Sequence, residues 1–240
     1  MSRGIYIIGT DTEAGKTVVC AGLMYLLAEK GINAAYYKPV ASGEMLRNGR
    51  MVPGDAAFVC HVSGFDLEMK RISPFSFADA VAPHLAARHA GRRITPDRIR
   101  EGLDFLKARY DVVVAEAAGG LAVPLDDNGY MQQELIREMG FSCLLVTRAG
   151  LGTINHTILT LGFAETAGLK VKGIIVNRAA ETTIEQDNIL MIKKLAAGRP
   201  VFVVPTMTGV DTERLLAGNI REVFYQSIPI DDILRLMETI

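Results

Sequence analysis

The stretch from Gly9 to Thr17 constrains the fold of this 240-residue chain more than any other part of it. It reads Gly-Thr-Asp-Thr-Glu-Ala-Gly-Lys-Thr and lies between the apolar run Ile5 to Ile8 and a helical pattern that begins at Val18. A buried strand, a glycine-bounded turn and a helix start are typical of a loop whose backbone N–H groups surround a polyphosphate. We expect the Lys16 ammonium to contact the β and γ phosphates and the Thr17 hydroxyl to bind Mg²⁺.

The spacing of this loop departs from the usual one. Five residues separate Gly9 from Gly15, where the common pattern has four before its Gly-Lys pair. The alternative is a chance Gly-Lys-Thr tripeptide at a surface helix. The strand before the loop and the helix after it favour a nucleotide site.

Composition limits the class of protein. Apolar residues make up 49% and charged residues 22%, which is typical of a globular chain. The length suits one large α/β domain, although length alone also permits two smaller ones. The formal net charge of -1 predicts no extended basic surface, so we expect neither a nucleic acid nor a membrane as partner.

The cysteines and the N-terminus indicate the compartment. Cys20, Cys60 and Cys143 are far apart in sequence and have apolar neighbours, so we expect reduced core thiols rather than a disulfide or metal site. The N-terminus leads directly into a strand without a signal-peptide pattern, and no apolar run approaches membrane-spanning length. These features predict a soluble cytoplasmic protein.

Strands alternate with helices along the chain. Apolar runs predict strands at residues 5–8, 34–37, 112–115, 143–147, 173–176 and 201–204, and 3.6-residue periodicity predicts helices between them. We therefore predict a single doubly wound α/β domain over residues 1–240, with a mainly parallel sheet flanked by helices.

Three segments fit this alternation less well. Residues 40–54 are rich in Gly, Asn and Ser and predict a long loop, and residues 73–84 contain too much proline for a central strand, so we expect an irregular pocket wall there. Residues 228–240 predict one short amphipathic helix that packs on the core.

Polar side chains follow several of the predicted strands. Lys38 follows the second strand, Glu116 the third and Asn177 a later one. Carboxyl ends of parallel strands share one edge of a sheet and face the ligand, so these residues should converge with Lys16. Glu116 is then placed to reach Mg²⁺.

Two of the candidate residues have a structural interpretation beside the functional one. Asp55 is placed to cap the helix at residues 56–62, which composition favours over a carboxylate near the metal. Asn177 fits an adenine-reading amide and a turn cap equally well. A second anion site is expected where the N–H groups of Gly152 to Asn155 open a helix.

These motifs together resemble the dethiobiotin synthetase family, which belongs to the P-loop NTPases. The resemblance lies in sequence stretches spread in order along most of the chain: the loop at Gly9, Tyr-Lys-Pro-Val-Ala-Ser-Gly at Tyr37, Asp55, Pro83-His84, Glu116 with Gly119-Gly120 and Pro124-Leu125, Leu-Gly-Thr-Ile-Asn-His-Thr at Leu151, and Asn177. The five-residue spacer is this family's own form of the loop.

The resemblance implies an ATP- and Mg²⁺-dependent ligase. CO₂ would combine with one amine of 7,8-diaminononanoate, ATP would phosphorylate the carbamate, and the second amine would close a cyclic urea. It further implies a homodimer in which the other subunit's helix start at Gly152 to Asn155 holds the substrate carboxylate.

The resemblance also implies a role for each matching residue. Lys16 and Lys38 would be catalytic, and Mg²⁺ would bind to Thr17, Asp55 and Glu116. The nucleotide would contact the loop, the metal carboxylates and an adenine pocket: Glu13, Ala14, Gly15, Lys16, Thr17, Val18, Asp55, Glu116, Ala117, Ala118, Gly119, Val176, Asn177, Pro205, Thr206 and Met207. The diamine and carbamate would contact Thr12, Lys38, Ser42, Gly152, Thr153, Ile154 and Asn155.

Two positions depart from the family pattern. Ala117 replaces a glycine, so its methyl group is expected to crowd the substrate or alter the backbone angle, and Ala80 replaces a proline in the pocket wall. Residues near Asn188 that would close the site from the second subunit do not map onto the family pattern.

Two other classes share parts of the pattern. Cobyrinate amidase relatives carry a glutaminase domain, for which 240 residues leave no room. Partition and positioning ATPases carry an extra lysine early in the loop, and Thr10 to Ala14 contains none.

Overall fold

The computed structural model describes residues 1–47 and 49–240. The strands are β1 (Arg3–Gly9), β2 (Ala34–Tyr37), β3 (Val40–Ser42), β4 (Glu44–Arg47), β5 (Arg50–Pro53), β6 (Phe75–Phe77), β7 (Val112–Glu116), β8 (Ser142–Arg148), β9 (Val171–Ala179), β10 (Val201–Pro205), β11 (Val210–Asp211), β12 (Leu216–Ala217) and β13 (Glu238–Thr239). The helices are α1 (Lys16–Glu29), α2 (Gly54–Ser63), α3 (Met69–Ile72), α4 (Pro83–His89), α5 (Pro96–Lys107), α6 (Gln132–Glu138), α7 (Thr153–Thr166), α8 (Thr183–Leu195), α9 (Ile220–Ser227) and α10 (Ile230–Leu236). A short 3-10 helix covers Thr12–Ala14.

A seven-stranded sheet organises the molecule. Its order is β10-β9-β8-β1-β7-β2, with all neighbours parallel, and β13 pairs antiparallel with β1. Strands such as β7 are buried along their whole length because helices cover both faces, which explains their continuous apolar sequence. The predicted doubly wound α/β fold with a mainly parallel sheet is confirmed.

The sheet separates two hydrophobic layers. Buried residues of α1, α2, α9 and α10 pack on one face, and those of α4, α5, α6, α7 and α8 pack on the other. Side chains alternate between faces along a strand, so the adjacent Tyr36 and Tyr37 of β2 enter different layers.

Strand order reverses beside β1. The chain passes from β1 to β2 and β7 on one side, and then crosses to β8, β9 and β10 on the other. The crevice beyond the carboxyl ends of strands at such a switch point is where ligands bind in open α/β sheets. The phosphate loop directly follows β1 and therefore lies at this point.

The predicted loop at residues 40–54 is wrong. This segment contains β3, which pairs with β6, and the antiparallel pair β4 and β5. The sequence pair Asn48-Gly49 between them is a hairpin signal, and Gly49 has the positive φ of +75° that such turns require. Asn48 itself lies outside the described residues. Sequence composition there reflected the turn and masked the short strands on each side of it.

The single helix predicted at residues 228–240 is also wrong. Helix α10 ends at Leu236, Met237 is extended, and β13 then pairs with the start of β1. The preceding helix α9 is amphipathic and was not predicted. None of the helices in the described residues is long and apolar enough to cross a membrane.

Candidate active site

The phosphate loop connects β1 to α1 through the short 3-10 helix. Gly15 has φ +90°, and a Cβ atom there would lie 2.2 Å from Asn177 Nδ2. Both the backbone angle and the close approach therefore require glycine at this position. The helix α1 begins at Lys16, so the first backbone N–H groups of α1 open toward the crevice.

The Lys16 side chain folds back over its own loop. Its Nζ donates to the carbonyl oxygens of Asp11 at 2.9 Å and Thr12 at 3.3 Å, and the side chain is buried. Burial, and then the neighbouring Lys38 charge, lower the pKa of Lys16. The structure thus holds this ammonium at the loop, where phosphate oxygens would compete for it.

A cluster of charged side chains lies beside the loop. Lys38 Nζ is 2.6 Å from Glu116 Oε1 and 2.6 Å from Asp55 Oδ2, and Thr17 Oγ1 donates to Glu116 Oε1 at 2.9 Å. Glu116 is only 1% exposed. Burial alone would lower the pKa of Lys38, but the Asp55 and Glu116 carboxylates together outweigh that effect and raise the pKa above its ordinary value.

The interpretation of Asp55 as a helix cap is wrong. Helix α2 begins at Gly54 with Pro53 at the N-cap position, so Asp55 lies inside the first turn and its side chain pairs with Lys38. The buried Lys38 ammonium needs counter-charges, and Glu116 and Asp55 supply them.

The oxygen atoms of this cluster fit Mg²⁺. Thr17, Asp55 and Glu116 provide a hydroxyl and two carboxylates, which are the hard ligands this cation prefers. No group of three His, Cys, Asp or Glu side chains that could hold a metal occurs within residues 1–47 and 49–240. A cation at this cluster therefore depends on the Thr17 hydroxyl and on oxygen atoms of the ligand as well.

Two adjoining cavities border the cluster. The first, of about 180 Å³, contains both lysines and the Thr17, Asp55 and Glu116 side chains. The second, of about 370 Å³, is lined by the Ala80 to Pro83 wall, Gly120 and Val123. Both are bordered by Thr12, Ser42, Ala118 and Gly119. Residues 80–83 form the predicted pocket wall, but the segment of residues 73–84 is not irregular throughout, since it contains β6 and the start of α4. The pair of cavities suits an elongated molecule with a polar end and an apolar body.

The loop after β7 is fixed by a residue that the sequence did not indicate. Gln132 is buried, accepts a hydrogen bond from Ala118 N at 2.7 Å and donates to Gly120 O at 2.7 Å. Ala117 points away from the cavities into the core, and its N–H extends the sheet by donating to Ile7 O at 3.0 Å. The expected crowding of substrate by the Ala117 methyl group is therefore absent from these cavities, whereas Ala80 does line one.

Asn177 supports the phosphate loop. It is buried at the carboxyl-terminal part of β9, and its Nδ2 donates to Ala14 O at 3.1 Å. Its Oδ1 is buried without a partner in the described part of the chain and remains available as an acceptor. A third cavity of about 460 Å³ lies over the loop and is bordered by Arg178 and Thr212, which sequence reasoning missed. Pro205, Thr206 and Met207 do not border that cavity in the described structure.

The start of α7 forms a separate region. Gly152 has φ +88°, and Thr153 Oγ1 contacts Thr147 Oγ1 at 2.9 Å and the Arg148 carbonyl. Asn188 from α8 is buried and donates to the carbonyls of Ala149 at 2.9 Å and Gly150 at 3.3 Å. These contacts fix the loop that precedes the helix. A cavity of about 370 Å³ lies there and extends to Thr10 and Asp11.

Large apolar side chains are exposed beside this region. Leu151 is 95% exposed and Leu159 is 64% exposed, and Phe163, Ile184 and Leu190 also face solvent. The surface formed by these five residues on α7, α8 and the preceding loop is called the α7–α8 apolar surface below.

Comparisons with known proteins agree with this geometry. A family model described as an AAA domain matches residues 3–214. The ATP-dependent dethiobiotin synthetase BioD of Clostridium novyi is 42% identical over 209 residues, covering 85% of this chain and 88% of that protein. The same enzyme of Clostridium acetobutylicum is 42% identical over 205 residues, covering 84% and 85%.

Solved structures share the fold at much lower identity. The septum site-determining protein MinD of Pyrococcus horikoshii, complexed with Mg-ADP, has a TM-score of 0.63 at 18% identity, covering 98% of this chain and 97% of its own. A ParA family ATPase from Chlorobium tepidum has a TM-score of 0.56 at 14% identity, covering 98% and 94%. At such identities the likeness shows the P-loop fold alone. The identity to the clostridial enzymes over most of the chain shows more than the fold, and the protein belongs to the ATP-dependent dethiobiotin synthetase family.

Proposed function

We propose that this ATP-dependent ligase converts 7,8-diaminononanoate, CO₂ and ATP to dethiobiotin, ADP and phosphate. The observation that carries the proposal is the convergence of Lys16, Lys38, Thr17, Asp55 and Glu116 on one charged cavity beside an apolar one. The family relationship supplies the reaction class, and the two cavities supply a place for a molecule with a polar diamine end and an aliphatic chain.

The two lysines would offset the repulsion between the two negatively charged reactants. A carbamate that attacks the γ-phosphate of ATP brings two anions together, and their repulsion must be offset by positive charge in place before they meet. Lys16 lies at the loop and Lys38 lies deeper in the same cavity. Both are buried, so their charges are screened less than those of surface lysines.

Mg²⁺ would be held by Thr17, Asp55 and Glu116 and would neutralise charge on the phosphate oxygens. In the structure these carboxylates already balance Lys38. A bound nucleotide would add negative phosphate charge, and Lys38 could then interact with the phosphates as well as with the two carboxylates. The chain's own residues therefore hold a charge-balanced site before any ligand enters.

Thr12 and Ser42 are placed to orient the reacting amines. They border both cavities, at the junction between the charged end and the apolar wall. Hydroxyl groups there can bond to the carbamate and the free amine, while the aliphatic chain lies along Ala80 to Pro83. Fixing the second amine near the activated carbon makes ring closure effectively unimolecular, which can lower the barrier by up to roughly 7 to 11 kcal/mol.

The nucleotide would lie over the loop from Glu13 to Val18, with its adenine toward Asn177. Asn177 Oδ1 lacks a partner within the described residues, but it is fully buried, so the adenine amino group would reach it only if the surrounding loop moved. Val176 and Pro205 to Met207 would complete the adenine pocket. Arg178 and Thr212 border the adjoining cavity.

We further infer a homodimer in which the α7 helix start of one subunit completes the site of the other. The α7–α8 apolar surface supports this, because covering it with a second copy removes large side chains from water. The backbone N–H groups of Gly152 to Asn155 would then bind the substrate carboxylate. Residues 1–240 would act as one domain, since β13 at the C-terminus shares the sheet with β1.

A direct assay tests the function. The protein is incubated with ATP, Mg²⁺, bicarbonate and 7,8-diaminononanoate, and the cyclic urea is detected by mass. We expect product from the wild type and from Lys70→Gln, whose exposed lysine forms an ion pair with Glu68 away from the site. Lys16→Gln and Lys38→Gln should give almost none while keeping a folded circular-dichroism spectrum. Unchanged turnover in both site variants would contradict the mechanism.

A further inference from the structure

Tyr36 of strand β2 contacts the Glu116 carboxylate. Its Oη donates to Glu116 Oε2 at 2.5 Å, while Thr17 and Lys38 both bond to the other oxygen, Oε1. Each carboxylate oxygen therefore has its own partners. The Tyr36 hydroxyl holds Oε2, whereas Thr17 and Lys38, beside the phosphate loop, bond to Oε1.

A glutamate carboxylate can adopt many orientations unless a neighbouring group holds it. Rotation about its terminal torsion is broad, with no sharp staggered minima. A hydrogen bond to one oxygen restricts that rotation and so sets the direction of the second oxygen. Because Tyr36 is fully buried and packed between α1, α2 and the sheet, its hydroxyl has little freedom to move.

We propose that Tyr36 is a positioning residue that orients the Glu116 carboxylate for the Mg²⁺ of the bound nucleotide complex. It acts through Glu116 and touches neither metal nor substrate. The inference rests on the proposed function, because it assigns Glu116 to Mg²⁺. Partners of metal ligands commonly change metal affinity by about tenfold or more when they are removed.

The neighbouring Tyr37 provides a matched control. It is also fully buried in β2, but its hydroxyl donates to the Ile99 carbonyl at 2.7 Å, in the other hydrophobic layer. Tyr37→Phe therefore removes one buried hydroxyl and one hydrogen bond without touching the site. If Tyr36 were only a satisfied core residue, the two Phe variants would behave alike.

The test compares ADP binding with and without Mg²⁺ by calorimetry for wild type, Tyr36→Phe and Tyr37→Phe. For Tyr36→Phe we expect the ADP affinity in excess Mg²⁺ to fall about tenfold and the affinity in EDTA to change less than about twofold. Tyr37→Phe should retain the wild-type values in both buffers. Thermal unfolding of both variants confirms that each is folded and measures the general loss of a buried hydrogen bond.

Two results would overturn the proposal. Tyr36→Phe could retain the full Mg²⁺-dependent gain in ADP affinity, or both variants could lose it equally. Either outcome leaves the proposed function standing, provided that the wild type binds ADP more tightly with Mg²⁺. A wild-type protein without any Mg²⁺-dependent ADP binding would instead contradict the proposed function itself.

Discussion

Around the phosphate loop, most charged side chains are held by other side chains of the same protomer, whereas at the start of α7 the polar groups are mainly backbone and the neighbouring apolar side chains are exposed. Glu116, for example, is contacted by Thr17, Tyr36 and Lys38. At the other region, Asn188 fixes only the loop backbone, and Leu151 is 95% exposed. The first region is called the phosphate half of the site below, and the second the α7 half.

The difference indicates how each half is stabilised. Buried charges are tolerated only when paired, so the phosphate half must be assembled when the chain folds. The α7 half contains a buried threonine cluster, in which Thr147 contacts Thr153 and Thr157, but no buried pair of charges within the described residues. It also presents apolar area that a second subunit can cover. We infer that the phosphate half is complete within one chain and that the α7 half contributes to a site in its partner.

The largest expected effect is that of Glu116→Gln. The amide leaves Lys38 with Asp55 as its only counter-charge, and breaking a buried pair destabilises a protein by about 3 kcal/mol or more. We expect turnover to fall by at least about a hundredfold and the urea midpoint to drop. In Asp127→Asn, which breaks the exposed pair with Arg88, the free energy of unfolding should stay close to that of the wild type. Equal destabilisation by the two substitutions would contradict the difference proposed between the buried charges of the phosphate half and the exposed surface.

A charged side chain introduced on the α7–α8 apolar surface should affect the α7 half and leave the phosphate half unchanged. Leu159→Glu places a carboxylate in the inferred interface, so we expect dissociation to monomers by light scattering. The KM for the diamine should rise about tenfold or more, with Mg²⁺·ADP affinity preserved. Tyr225→Glu, on exposed α9, is the control and should remain dimeric. A wild-type monomer, or a Leu159→Glu dimer with normal KM, would contradict the assignment.

An intermediate effect is expected for Gln132→Leu. The substitution leaves Ala118 N and Gly120 O without their buried partner, which typically destabilises by about 1 to 3 kcal/mol. This loop borders the charged and apolar cavities but not the cavity over Glu13 to Val18. We therefore expect the diamine KM to rise several-fold while ADP affinity is retained. Steady-state kinetics with Gln133→Leu as control measures the difference. A loss of ADP affinity would mean that the loop belongs to the nucleotide side instead.

The smallest effect concerns two buried cysteines: Cys20 of α1, whose pKa responds to the Glu116 charge, and Cys143 near the amino-terminal end of β8, away from both halves of the site. Burial raises the pKa of Cys143 in β8 to about 12, and burial, then the Glu116 charge, raise the pKa of Cys20 in α1 well above its ordinary value. Thiolate is the reactive form, so at pH 8 alkylation requires local opening. We expect Mg²⁺·ADP to slow labelling of Cys20 by a larger factor than labelling of Cys143, measured by peptide mass spectrometry. Equal slowing would show that the same opening of the molecule exposes Cys20 and Cys143.

Sequence was sufficient for much of the phosphate half. Gly15, Lys16 and Glu116 lie where strand ends and a glycine-bounded loop predict them, because the parallel sheet brings its carboxyl ends to one edge. The support that Asn177 gives the phosphate loop was not predicted. Its contact with Ala14 O depends on how β9 packs against the loop, which no local pattern encodes.

The remaining site features depend on contacts distant in sequence. Tyr36 and Gln132 each look like ordinary core residues in the sequence, and their roles arise from partners about 80 and 14 positions away. Asp55 was misinterpreted because its local position resembles a cap, while its actual partner, Lys38, lies on another element. Pairing of β13 with β1 escaped prediction for the same reason: two-residue strands form only where a sheet edge or end is available.

The measurement that tests the central inference most directly is complementation between two inactive variants. Lys38→Gln inactivates the phosphate half of the site. Asn155→Asp inactivates the α7 half by placing a negative charge there, and it keeps a residue type that favours helix starts. Random mixing makes half of the dimers hybrid, and each hybrid has one intact site, so we predict recovery of about one quarter of wild-type activity. If the mixture stays as inactive as the separate variants, both halves of a site belong to the same chain and the account is wrong.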